Sequence, residues 1–281
     1  MTIQLSTPIQ SQPRGGPNFF VRSIDLHERG ELISPIATLD DFRVRDRPFP
    51  PHPHAGFSAV TYVFEDSPGD LRSRDSLGND IRVGPGGIVW TQAGRGIVHH
   101  EVPALQNCEL HGVQFFVNLS AESKLIPPQV LSVDGKDVPQ WHSERGDRVR
   151  VVVGSYRDIE SPLVPAEPFM LLDAEVRHEI ALDLQPQQYG LLSVQSGSAR
   201  VVTDTGTTIV AQDQAVTVRG SGSFSVVAAQ PVRLLLLVGM EIHDPVFVHG
   251  PFIMNDPKQI ADAINRYQAG DMGHLTPLPR D

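Results

Sequence analysis

The sequence predicts an all-β protein, with two β modules in tandem and one short C-terminal helix. Three observations carry that expectation. The 281 residues include 24 glycines and 24 prolines, recurring about every eight to twelve residues, which is the turn spacing of sandwiches and barrels. Between these turns lie short runs rich in Val, Ile, Thr, Phe and Tyr, the residues that fit a pleated, half-buried surface. Only the stretch NDPKQIADAINRYQAG (255–270) changes to a helical pattern.

The N-terminal stretch MTIQLSTPIQSQPRGGPNFF lacks a basic region followed by an apolar one, so no secretory signal is expected. PHPHAGF (51–57) is stiffened by Pro51 and Pro53 and suits neither a helix nor a central strand. In GFSAVTYVFE (56–65), Phe57, Ala59, Thr61 and Val63 share one face; Ser58, Val60, Tyr62 and Phe64 share the other. Both faces are largely apolar, which predicts a strand covered on both sides. DSLGNDIRVGPGGIVW (75–90) holds two turns around a short strand, and RGIVHHEV (95–102) and LHGVQFFVNLS (110–120) read as further strands. Residues 121–146 are polar and contain prolines, and read as a connector.

A second β run fills about 168–241, with turns at Ser196-Gly197, Asp204-Thr205-Gly206 and Gly220-Ser221-Gly222. The expected domains are therefore 1–125 and 126–281, the second ending in a helix at about 257–269. Asp256 is the expected N-cap, Pro257 the first helical residue and Gly270 the stop. Ile260, Ala263, Ile264 and Tyr267 would form one buried stripe packed on a β domain.

Bulk properties narrow the function. The net charge of −10 disfavours direct binding to a phosphate backbone. The single cysteine, Cys108, has no internal partner. The longest apolar stretch, PVRLLLLVGM (231–240), is too short to span a bilayer. A soluble, cytoplasmic protein that neither crosses a membrane nor binds nucleic acid is expected.

Two of the 11 histidines fall in PHPH. An exposed Pro-rich loop is one reading; half of a metal site is the other. In an extended segment residues two apart point the same way, so His52 and His54 project together. The same rule puts His99 and Glu101 on one face of VHHEV and His100 on the other. Three imidazoles and a carboxylate suit a divalent first-row metal: Fe, Mn, Co, Ni, Cu or Zn. Such a set leaves positions open for a substrate oxygen and O₂, and Glu101 could also accept a substrate proton. His100 is expected to be structural, His111 and His142 stay unassigned, and His27, His178, His243, His249 and His274 read as surface or hydrogen-bonded residues.

The runs PPHPHAGFSAVTYVFE, DSLGN, VGPGGIVWTQAGRGIVHHEVP and LHGVQFFVNL, with DPVFVHGPFIMN at 244–255, resemble the pirin family from about residue 19 to 270. The resemblance implies a bicupin, two tandem cupin β-barrels with metal only in the N-terminal one. It implies His52, His54, His99 and Glu101 as ligands, and Fe(2+) as the usual metal. Some pirins resemble flavonol dioxygenases that open quercetin; others are described as regulators acting through protein partners. The expected function is thus a quercetin 2,3-dioxygenase-like enzyme taking a small aromatic substrate and O₂, with Glu101 as proton acceptor. Phe57, Trp90, Gln114, Phe115 and Phe116 are candidates for its pocket wall. The alternative is a non-catalytic redox or metal sensor with a protein partner. Many pirins carry Arg and Glu where this chain has Ala55 and Ser58.

Overall fold

The structure, a computed structural model, describes residues 2–16, 18–26 and 34–279. Strands dominate the described residues, and the one α-helix among them is Pro257–Ala269. Among the described residues no helix is long and apolar enough to cross a membrane. The chain divides into two compact units, each built on two facing sheets.

The unit that carries the histidines comprises the described residues of 13–33, 37–137 and 242–281. Its seven-stranded sheet runs in the order Gln129–Val133, Ile88–Gln92, Phe57–Val63, Leu110–Asn118, Ile36–Val44, Phe19–Asp25 and Gln12–Gly16. A four-stranded sheet, His52–His54, Ile97–Pro103, Leu71–Asp75 and Asp80–Val83, faces it. Val63, Val89 and Leu110 from the first sheet pack with Leu71 and Val83 from the second. Phe57–Val63 is buried at every position, as its two apolar faces predict.

The other unit comprises the described residues of 1–12, 34–36 and 138–241. Its large sheet is ordered Gln4–Leu5, Gln214–Arg219, Gln188–Ser196, Val232–Met240, Phe169–Val176, Arg148–Val153 and Gln140–His142, and Ile9–Gln10 also pairs with Gln214–Arg219. Its second sheet is Glu179–Leu184, Gly222–Val227, Ser198–Thr203 and Gly206–Ala211. Between them lies a core of aliphatic side chains such as Val151, Leu172, Leu182, Leu192, Val201 and Leu234.

These units correct the expected domains of 1–125 and 126–281. The first barrel is complete only after Gln129–Val133 pairs with Ile88–Gln92, so part of the expected connector is a strand. Gln4–Leu5 and Ile9–Gln10 add to the edge of the second barrel. The C-terminal segment returns to the first: Ala55 bridges to Phe252, and Ala55, Val98, Phe252, Met254, Ile260 and Ala263 form one cluster. Edge pairing of this kind is made by backbone groups and leaves little trace in side-chain periodicity.

The helix begins and ends as expected. Asp256 accepts a hydrogen bond from the Gln259 N–H at 2.8 Å, and Gly270 closes the helix in the left-handed region. Its buried stripe is shorter than the spacing predicts. Ile260 and Ala263 are buried and Ile264 packs beside them, but Tyr267 is 42% exposed.

Candidate metal centre

His52–His54 is a short edge strand paired antiparallel with Ile97–Pro103, with His99 opposite His52 and Ile97 opposite His54. Proline is tolerated there because an edge strand has N–H positions the ladder does not need. Gly56 then turns the chain into Phe57–Val63 at φ +83°; a Cβ there would sit 1.9 Å from the Ile253 carbonyl oxygen. Register and turn together aim three imidazoles at one point. One ligand atom from each of His52, His54 and His99 lies within 4.8 Å of the others.

The rings meet edge to face, with centroids 4.6 to 4.8 Å apart. His52 Nδ1 donates to the Pro50 carbonyl at 2.9 Å, which leaves Nε2 as the lone pair of the neutral ring. His54 and His99 are buried. Burial first, then the neighbouring His52, lowers the His54 pKa to about 3, against an opposing hydrogen bond involving the Pro251 backbone. Burial and the adjacent His54, His52 and His100 hold His99 well below the ordinary imidazole range. Neutral imidazoles are the form that binds a metal.

Glu101 follows His99 on the same face, as alternation predicts, but stands outside the group of three. Its Oε2 accepts from the Thr61 hydroxyl at 2.6 Å and from Gln114 Nε2 at 3.2 Å. Its Oε1 is buried with no hydrogen-bond partner. Burial raises the Glu101 pKa, while hydrogen bonds from Thr61, Ser73 and Gln114 oppose the rise. His54 Nδ1 and His99 Nδ1 are likewise buried and unpartnered. Buried imidazole nitrogens without a partner of hydrogen-bond geometry, together with one carboxylate, fit a divalent cation.

His100 points the other way, as expected, with Nε2 3.1 Å from the Phe49 carbonyl oxygen. His111 lies between Asp41 and Asp66, with nitrogen–oxygen distances of 3.2 and 3.4 Å, and meets Phe64 edge-on at 4.7 Å. His27 lies outside the described residues.

The pocket-wall candidates divide by strand face. Phe57 and Phe116 meet His54 edge-on at 5.0 and 5.6 Å and lie 4.7 Å from each other. Gln114 is on the same side and serves Glu101. Trp90 and Phe115 are corrected. The ladder aligns both with Val60, on the opposite face, where their rings pack at 6.3 Å. Ser58 shares that outer face, and Ala55 packs in the cluster beneath the helix, so neither departure from the common pattern shares the wall formed by Phe57, Thr61 and Phe116. The sequence reading missed Thr61 and Ser73. A lone hydroxyl among Phe57, Ala59 and Val63 was the available signal for Thr61.

Residues 26–117 match the family model described as Pirin, and residues 169–273 match that of the Pirin C-terminal cupin domain. Human Pirin is 31% identical over 274 residues, covering 93% of this chain and 90% of that protein. A crystal structure of quercetin 2,3-dioxygenase from Acinetobacter baumannii is 25% identical with a TM-score of 0.85, covering 98% of this chain and all of the other (100%). The bacterial pirin YhhW from Escherichia coli, solved in complex with nickel(II), shares the fold at 17% identity and a TM-score of 0.64, covering 85% of this chain and 99% of that one. With both cupin domains matched and a relative this similar along nearly its whole length, the chain belongs to the pirin family of bicupins.

Proposed function

We propose that this protein is a metal-dependent dioxygenase that opens flavonol-type substrates, with Fe(2+) held by His52, His54, His99 and Glu101. The observation that carries the reading is the convergence of three buried or half-buried imidazoles beside a carboxylate whose Oε1 has no partner. Likeness to a bacterial quercetin 2,3-dioxygenase supports the substrate class. When bound, the metal would supply Lewis acidity and open positions for oxygen ligands.

The chain's own residues supply the rest. Phe116 is half-buried and Phe57 fully buried, so together they offer an aromatic wall against which a flat ring can pack. Oε1 is the carboxylate atom without a partner, and so the one that would face a bound metal or a substrate hydroxyl. The raised pKa of Glu101 suits accepting a proton from that hydroxyl. The surrounding apolar side chains, among them Ala59 and Val63, exclude water from the reacting face.

The test is O₂ uptake with carbon monoxide release from a series of flavonols, using iron-loaded protein. Turnover that disappears in His52→Ala and Glu101→Ala, together with their metal content, supports the reading. Folded, iron-loaded protein that consumes no O₂ with any flavonol overturns it in favour of a non-catalytic metal sensor.

A further inference from the structure

We infer that Thr61 and Gln114 are positioning residues that hold Glu101 by Oε2 and so present Oε1 alone to the metal. The inference rests on Glu101 being the fourth donor. It assigns the two residues a task that their place in an apolar strand and a candidate pocket wall does not suggest.

Thr61 and Gln114 are cross-strand partners on the inner face of the large sheet, while Glu101 projects from the smaller sheet opposite. The three side chains close a triangle across the barrel. Thr61 spends its only hydroxyl proton on Glu101 Oε2 at 2.6 Å. Its oxygen then accepts from Gln114 Nε2 at 3.2 Å, and the same amide nitrogen reaches Oε2 at 3.2 Å. An NH₂ group has two protons, so both amide bonds can form together. Oε2 therefore receives both of these hydrogen bonds; Oε1 has no partner of hydrogen-bond geometry, although the Ser73 hydroxyl across the ladder also favours the charged carboxylate.

That asymmetry is costly unless Oε1 has a purpose. A buried, unpartnered carboxylate oxygen loses its hydration with nothing in exchange. A metal at the three imidazoles would repay that loss. With Oε2 committed to Thr61 and Gln114, Oε1 would be the oxygen offered to a metal held by the imidazoles. Partners that orient metal ligands in this way typically matter to metal affinity almost as much as the ligands do.

The experiment is Co(II) titration of the metal-free, full-length protein, reading affinity by chelator competition and geometry by the ligand-field absorption spectrum. Thr61→Val, which keeps the shape and removes the hydroxyl, is expected to weaken Co(II) binding about 10- to 100-fold and to alter the spectrum. Thr61→Ser restores both. Gln114→Leu carries the same expectation as Thr61→Val and serves if that variant does not fold. In a Glu101→Ala background, Thr61→Val should cost nothing further, because the hydroxyl then has no carboxylate to orient. Parental affinity and spectrum in folded Thr61→Val or Gln114→Leu overturn the inference, as does an equal loss in the Glu101→Ala background. Glu101→Ala with parental Co(II) affinity is a different failure: it removes Glu101 as a donor, and the positioning role falls with it.

Discussion

The Nε2 atoms of His52 and His99 stand 3.2 Å apart, on residues that are direct partners across two antiparallel strands. The Pro50 carbonyl can only accept, so it fixes the proton of neutral His52 on Nδ1. His52 Nε2 is then the ring atom turned toward His99. Imidazole ligands bind a metal in their deprotonated form, which couples the site to pH.

That coupling predicts acid sensitivity of the metal-free fold. His54 has a folded pKa of about 3, against 6.5 for the unfolded chain, and His99 also lies well below 6.5. Between those values the unfolded state binds more protons, so stability is retained above pH 6.5 and lost as the pH falls toward the folded values. The slope is about 1.4 kcal/mol per pH unit for each histidine. Glu101 acts in the opposite sense: its raised pKa means that stability falls as pH rises from 4.5 toward the folded value. The histidines outnumber it, so urea unfolding of metal-free protein should show a net loss from pH 6.5 to 5. His54→Gln should flatten that loss by about one proton's worth. A pH-independent midpoint would refute it.

The division of aromatic residues between strand faces gives a second prediction. Trp90 is 2% exposed and packs on Phe115, away from the imidazoles. Trp90→Ala should therefore cost about 3–5 kcal/mol in urea unfolding. Co(II) affinity of the folded fraction should stay unchanged. Phe116 stands 5.6 Å from His54 on the inner face and is only partly buried. Phe116→Ala should cost less stability and raise the KM for a flavonol. Paired unfolding and O₂-uptake measurements on the two variants check this, and a loss of substrate binding in Trp90→Ala would place that ring in the pocket after all.

The metal-centre histidines were legible in the sequence because strand alternation is a local rule. It put His52 with His54 and His99 with Glu101, and it set His100 aside. The cross-strand register that brings His52 opposite His99 was not legible, since it depends on which edges pair. The same gap explains Thr61. Alternation placed it on the face of Phe57, but nothing local showed that Glu101 would arrive opposite from another sheet. Trp90 and Phe115 were misplaced for a related reason. Both were candidates as strand-borne aromatics, while only the ladder with Val60 shows which side they take. The terminal segments exchanged units because backbone pairing carries little compositional signal.

The return of the helix to the metal-bearing unit supports a last prediction. Ala263 is fully buried against the cluster containing Ala55 and Val98, which are the chain neighbours of His54 and His99. Ala263→Asp would bury a carboxylate with no cation in that cluster, a change among the most damaging a single substitution can make. Its effect should exceed about 3 kcal/mol in urea unfolding. Because Ala55 and Val98 seat the two imidazoles, Co(II) binding should weaken in the same variant. Tyr267 lies farther along the same helix but is 42% exposed. Tyr267→Ala should stay within about 0.5 kcal/mol of the parent and keep its Co(II) affinity. If instead Ala263→Asp bound Co(II) as the parent does, the helix would be a passenger on this unit and not a support for its histidines.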